Sequence, residues 1–176
     1  LYEAYDEKTL FISTTGKTSR ELYEITKNKQ KTRSFFSIGG MGHASSIAYG
    51  VAENNENQVV CFDGDGAFLM HAGAISIIGT SDLKNFHYIL INNYAHESVG
   101  GQPTIAKKIN YKLIAEANQF DEYVEIKNLK ELENFISNIS FYNGKKLFLE
   151  IHVEIYSDKN LPRPDLSPKE YLEKFN

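Results

Sequence analysis

Two apolar runs in the middle of the chain constrain the fold most. Residues 58–62 end in Asp63-Gly64-Asp65-Gly66, and residues 86–91 end in Asn92-Asn93. Both runs are short, β-branched or aromatic in part, and bounded by turn residues, which reads as buried strand. Between Gly66 and Asn92 lie 25 residues, and residues 67–78 of that stretch are almost all apolar or small. One helix and one strand occupy that length. A strand, a crossover helix and a second strand run parallel, so the two strand ends return to the same edge of one sheet. The helix, apolar on most sides, is expected to be buried as a single segment over 67–78, with His71 a satisfied core residue.

The same alternation runs through the rest of the chain. Residues 9–13 read as a strand carrying Leu10, Phe11 and Ile12. A helix follows with Leu22, Ile25 and Tyr23 toward the core. Residues 34–38 read as a short strand, 43–52 as a small-residue helix, 111–118 as helix, 123–126 as strand, 129–139 as helix and 146–153 as the last strand. Ser167-Pro168-Lys169-Glu170 fits a capping box with proline at the first helical position. The expectation is an α/β fold: a parallel sheet of about five or six strands with helices on both faces, in a single domain over 1–176.

Length and charge exclude several classes. The chain has 176 residues and a net charge of -4, with both signs interspersed. No basic block suggests nucleic acid, and no apolar run approaches the ~18 residues that argue for a membrane span. Residues 1–8 carry Glu3, Asp6 and Glu7 and do not resemble a secretory signal. The first residue is Leu1 rather than Met, so a partner half is expected elsewhere. Cys61 is the single cysteine and is expected to be an inert packed thiol in a reducing, cytoplasmic setting.

Three strand ends carry glycines: Gly16, the Gly39 to Gly42 turn, and Gly64 to Gly66. In an open α/β sheet ligands sit outside the carboxyl ends of the strands, and helix N-termini pointing there favour phosphate. Asp65 and the Asn92-Asn93 pair add a carboxylate and a carboxamide oxygen at that edge. Singly, each is a helix cap or a turn. Together they are hard oxygen ligands suited to Mg²⁺ or Ca²⁺, and Mg²⁺ held by few protein groups shares its sphere with substrate phosphates. The residues point to a metal–diphosphate site.

Gly-Asp-Gly, some two dozen residues and then Asn-Asn resembles the thiamine-diphosphate motif, and almost the whole chain resembles the diphosphate-binding domain of thiamine-dependent decarboxylases. Gly64 to Ala67, Leu69-Met70-His71, Thr14 to Leu22, Met41 to Ser46, and above all Ala95-His96-Glu97-Ser98-Val99-Gly100-Gly101-Gln102-Pro103-Thr104 are similar to the phosphonopyruvate decarboxylase family. The resemblance implies thiamine diphosphate and Mg²⁺ as cofactors. It implies that Asp65, the Asn93 side chain and the Ala95 carbonyl ligate the metal, and that Gly66 and Ala67 offer N–H groups to the diphosphate. It further implies that the Gly39 carbonyl meets the aminopyrimidine, that Met41 props the bent cofactor, and that Gly16, Lys17 and Thr18 form a second cofactor turn. The implied reaction is decarboxylation of 3-phosphonopyruvate to phosphonoacetaldehyde and CO₂, with sulfopyruvate or another 2-oxo acid as the alternative substrate. The glutamate that activates the aminopyrimidine comes, in this family, from a pyrimidine-binding domain to which nothing in this chain corresponds. A missing domain or subunit and a homo-oligomer are therefore the expected partners, and the chain alone is expected to be inactive.

Other residues keep two readings. His96 and His43 are the candidate acid–base groups, since histidine titrates near neutrality, or else they make structural hydrogen bonds. Ser98 and Gln102 are candidates for the substrate end. Lys17 and Arg20 either attract an anion or are solvated charges. A catalytically silent interaction module of the same fold is the non-enzyme alternative.

Overall fold

The computed structural model describes residues 1–28, 33–158, 160–165 and 167–175. Six strands, β1 (Leu10–Ser13), β2 (Ser34–Phe36), β3 (Val59–Gly64), β4 (Phe86–Asn92), β5 (Glu122–Ile126) and β6 (Leu147–His152), form one sheet in the order β2-β1-β3-β4-β6-β5. Every pairing is parallel. The connecting helices are α1 (Lys17–Thr26), α2 (Ala44–Glu53), α3 (Asp65–Met70), α4 (Ala74–Thr80), α5 (Tyr111–Ala117), α6 (Leu129–Ser137) and α7 (Pro168–Phe175).

Strand alternation sorts the core into two layers. On one face Leu10, Ile12, Val59, Cys61, Phe86, Tyr88, Leu90 and Phe148 pack against side chains of α2, α3, α4 and α5. On the other, Phe11, Val60, Phe62, Ile89, Leu147, Leu149 and Ile151 meet Leu22 of α1, Phe135 of α6 and Tyr171 of α7. Phe148 is the centre of the first layer, with ring centroids 5.0 Å from Tyr88 and 5.5 Å from Phe120. Truncating such a ring costs about 3–5 kcal/mol. The inner strands β1, β3, β4 and β6 are buried on both sides, which is why their sequences read as nearly continuous apolar runs, whereas the edge strand β5 keeps Glu122 and Glu125 toward solvent.

Caps fix where the helices begin. The Asn110 side chain accepts from Leu113 N at the start of α5, and that of Asn128 accepts from Glu131 N at the start of α6. At α7 Ser167 N donates to Glu170 Oε2 at 2.7 Å, and Glu170 N donates back to Ser167 Oγ at 3.4 Å, as the capping box requires.

The structure corrects three expectations. Residues 67–78 are not one buried helix: α3 ends at Met70, α4 starts at Ala74, and the chain turns between them. Gly73 is the residue before α4 and is a poor helix former. The break lets Phe68 and then Ile75 and Ile78 each face the sheet, while Met70 and Ile77 turn outward. His71, in the turn, is exposed rather than a core residue, and its ring lies 4.4 Å from that of His43. Ile25 is 52% exposed and lines the cavity described below instead of the core.

β1 lies between β2 and β3, so the chain leaves it in opposite directions along the sheet. The crevice at such a reversal, outside the carboxyl ends of the strands, is where doubly wound sheets hold ligands.

Candidate functional site

A cavity of about 600 Å³ opens at this edge of the sheet, beyond the ends of β1, β3, β4 and β6. Ten of the candidate residues named from the sequence line it: Lys17, Thr18, Met41, Asp65, Gly66, Ala67, Asn93, Ala95, His96 and Ser98. Gly16 is not itself in the lining but lies between the lining residues Thr15 and Lys17, with φ +103°, and an added Cβ there would stand 3.3 Å from Ser98. Gly39 and His43 are exposed and do not line the cavity, and the His43 ring instead lies against that of His71, tilted by 31°. Arg20 also stays outside the lining, whereas Ser98 belongs to it.

Asp65 is the first residue of α3, carried there by β3, and is 2% exposed. Its Oδ2 accepts from the Thr104 hydroxyl at 2.5 Å. Burial pushes its carboxyl above the ordinary aspartate range, against hydrogen bonds from Thr104 and the Gly66 backbone. The next residue, Gly66, has no side chain for a reason visible in the packing: a Cβ there would meet His96 Nδ1 at 2.5 Å.

The two asparagines at the end of β4 do different work. Asn92 is fully buried and its Nδ2 donates to Glu150 Oε1 at 2.7 Å, which ties β4 to β6. Asn93 faces the cavity. Its Oδ1 accepts from Ala95 N at 3.0 Å and its Nδ2 donates to Glu97 Oε2 at 2.9 Å. The chain reverses immediately afterwards through Tyr94 at φ +61°, a conformation rare for an aromatic residue. The loop from Tyr94 to Thr104 then closes on itself. His96 N donates to Gln102 O at 2.8 Å and Thr104 N to Tyr94 O at 2.9 Å, around an antiparallel bridge between Ala95 and Pro103.

Three features had no assigned role in the sequence reading. Asp63 lies wholly buried under the site, where Tyr88 Oη donates to its Oδ2 at 2.8 Å; burial pushes its carboxyl up to about 6 against that bond. Its signal was a second carboxylate at the end of an apolar run. Thr104 was visible only as the end of the loop motif. The third is a polar cluster at the ends of β5 and β6, where Glu125, Glu150 and His152 bring three potential ligand atoms within 4.8 Å of one another. These groups already have partners: Tyr123 Oη donates to Glu150 Oε2 at 2.6 Å, and His152 Nε2 lies 2.8 Å from Glu125 Oε1. Strand alternation in β6 places Glu150 and His152 on one face, but nothing local announces a buried glutamate.

Residues 14–149 match the family described as thiamine pyrophosphate enzyme, C-terminal TPP binding domain. The chain is similar to a phosphonopyruvate decarboxylase of Streptomyces viridochromogenes, 31% identical over 166 residues that cover 93% of this chain and 40% of that one. It is also similar to the sulfopyruvate decarboxylase subunit beta of Methanocaldococcus jannaschii, 37% identical over 139 residues that cover 78% of this chain and 72% of the other. The chain thus spans less than half of the first relative and most of the second. In fold it matches the crystal structure of benzoylformate decarboxylase from Polynucleobacter necessarius with a TM-score of 0.71 at 14% identity, covering 89% of this chain and 32% of that one.

Proposed function

This chain belongs to the thiamine pyrophosphate enzyme family as its C-terminal TPP-binding domain, and on that premise we propose that it supplies the diphosphate-binding half of a decarboxylase acting on 3-phosphonopyruvate. The observation that carries the reading is the convergence of Asp65 and Asn93 on one cavity, from the ends of adjacent parallel strands.

The residues fit a divalent metal with a diphosphate. Asp65 and Asn93 offer hard oxygen donors, and two such groups suit an Mg²⁺ ion that completes its sphere from phosphate oxygens. Asp65 is buried and, among the described residues, forms no salt bridge with a lysine or arginine. A buried carboxylate without a cation is costly, and a metal ion removes that cost. Asp65, Asn93 and the Ala95 carbonyl would hold the ion, and the Gly66 and Ala67 N–H groups would face the diphosphate.

When bound, thiamine diphosphate supplies the nucleophilic carbon and the ring that accepts the electron pair left by departing CO₂. The balance is one C–C bond broken, CO₂ released and one proton added at the former keto carbon, with no change of redox state. Met41, which lines the cavity, would prop the bound cofactor. His96, beside Gly66, would hold a proton near the reacting end. Lys17 and Thr18, at the start of α1, would contact the cofactor, and the Lys17 ammonium would attract the diphosphate or the substrate's anionic group. Sulfopyruvate is the second substrate reading, supported by the higher identity to a sulfopyruvate decarboxylase subunit.

A pyrimidine-binding domain or subunit would complete the site, in a homo-oligomer. Apolar side chains near the cavity favour a covered face: Tyr156 lines its mouth and is 79% exposed. Among the described residues no helix is long and apolar enough to cross a membrane. A cytoplasmic setting is part of the proposal.

The test is titration of the chain with thiamine diphosphate, with and without Mg²⁺. Metal-dependent binding that Asp65→Ala abolishes is the expected result; metal-independent binding, or an indifferent Asp65→Ala, refutes the site. Assays of the complete two-domain protein on phosphonopyruvate, sulfopyruvate and pyruvate decide the substrate.

A further inference from the structure

A carboxamide presents two different atoms, and only its oxygen can ligate a cation. Which atom faces a site is decided by the neighbours of the amide. For Asn93 both neighbours are of fixed character. Ala95 N can only donate, and it lies 3.0 Å from Oδ1. A Glu97 carboxylate oxygen accepts, and Oε2 lies 2.9 Å from Nδ2. Turning the amide over would set N–H against N–H and oxygen against carboxylate.

Glu97 is itself braced. The Ser157 hydroxyl donates to its other oxygen, Oε1, at 2.6 Å, from the segment after β6 and 60 residues away in sequence. The carboxylate therefore bridges the β4–α5 loop and the segment beyond the last strand. Both Glu97 and Ser157 are half-buried, so neither bond is fully exchanged for water. The backbone partner of Asn93 is local and belongs to the turn. Glu97 is the partner that a side-chain change can remove without altering that turn.

We infer that Glu97, braced by Ser157, is a positioning residue that keeps Oδ1 rather than Nδ2 of Asn93 available to the cation, and so sets the affinity of the site for metal. The inference rests on Asn93 being a metal ligand, as proposed above. Groups that orient a ligand are worth about 10- to 100-fold in metal affinity.

Mn²⁺ serves as the probe, its free fraction read by electron paramagnetic resonance on the whole chain at saturating thiamine diphosphate. Glu97→Ala is expected to raise half-saturation about 10-fold. Glu97→Gln is expected to regain most of that loss, since its Oε1 can accept from Asn93 while its Nε2 donates to Ser157 Oγ. Ser157→Ala is expected to show a smaller loss than Glu97→Ala. In an Asn93→Asp background, where both side-chain oxygens are equivalent, Glu97→Ala is expected not to weaken binding at all. A merely structural role for Glu97 would weaken both backgrounds alike. Wild-type half-saturation in Glu97→Ala, or Glu97→Gln as impaired as Glu97→Ala, overturns the positioning role. If Glu97→Ala fails to fold, Glu97→Gln and Ser157→Ala decide: the graded losses support the role, and wild-type behaviour of Ser157→Ala with a fully impaired Glu97→Gln refutes it. Metal binding unchanged in Asp65→Ala refutes the site reading itself, whereas loss in Asp65→Ala with none in Glu97→Ala refutes only this inference.

Discussion

The Thr104 hydroxyl donates to Asp65 Oδ2 at 2.5 Å across 39 residues of sequence. This bond joins the connection between β4 and α5 to the start of α3, and it occupies one oxygen of a buried carboxylate. Thr104→Val keeps the shape and removes the donor. Leaving a buried acceptor without its partner costs about 1–3 kcal/mol. The expected outcome is a lower melting temperature in the absence of ligand and weaker metal-dependent cofactor binding, both regained in Thr104→Ser. Thermal melts with and without thiamine diphosphate and Mg²⁺ check it, and a Thr104→Val chain indistinguishable from wild type in both would refute it.

His87 predicts how the fold responds to acid. It is buried in β4, its Nε2 donates to the Tyr142 carbonyl at 3.1 Å, and Tyr5 Oη lies 2.9 Å from Nδ1. A carbonyl only accepts, so Nε2 carries the proton and Tyr5 donates to Nδ1. Burial lowers the folded value to about 4, from 6.5 in the unfolded chain. Between those values the unfolded chain binds the extra proton, so stability is intact above pH 6.5 and falls as the pH drops toward 4. The loss reaches about 3 kcal/mol at the lower end. Urea midpoints across that window are expected to fall more steeply for wild type than for His87→Gln; equal slopes would exclude His87 as the cause.

The difference between Asn92 and Asn93 shows how far the residues themselves were readable. The parallel sheet, its edge and the convergence of Asp65 with the Asn-Asn pair follow from apolar runs and spacing, because a buried strand has few ways to end. Nothing in the pair says that its first member ties down Glu150 and its second faces the cavity, since that depends on β6, which is far away in sequence. The break at His71 was hidden for a related reason. A stretch in which nearly every residue is apolar or small carries little phase, so a single buried helix and two short ones with different facing look alike until the sheet is present. Ile25 reads as core by helical periodicity, yet its face of α1 borders an open cavity.

Gly79 tests a close approach between helices. Its ideal Cβ would collide with the Asn118 backbone carbonyl at the end of α5. Helix propensity alone predicts that Gly79→Ala stabilises by about 1 kcal/mol. Collision with backbone, which cannot rotate aside, predicts a loss of about 1–3 kcal/mol instead. Chemical denaturation of Gly79→Ala separates the two by sign, and any gain in stability refutes the packing argument.

Gly66 separates binding from folding. An added Cβ would meet the His96 ring at Nδ1, 2.5 Å away, and Cε1, 2.9 Å away. The ring is the far end of a side chain that can swing, so Gly66→Ala is expected to change stability by less than about 1 kcal/mol. Its cost should fall on the site. His96 must leave its place beside α3, and the new methyl narrows the approach to the N–H groups proposed to face the diphosphate. Thiamine diphosphate binding is expected to weaken about 10-fold, as a lost hydrogen bond to a charged group would. Replacing His96 with alanine removes the obstruction, so the double variant should recover the part of the loss that comes from displacing the ring. Calorimetric titration of the single and double variants reads this directly. If Gly66→Ala binds cofactor as wild type does, the backbone of α3 does not approach the diphosphate closely. If the double variant recovers nothing, the methyl itself blocks the approach and the position of His96 is incidental.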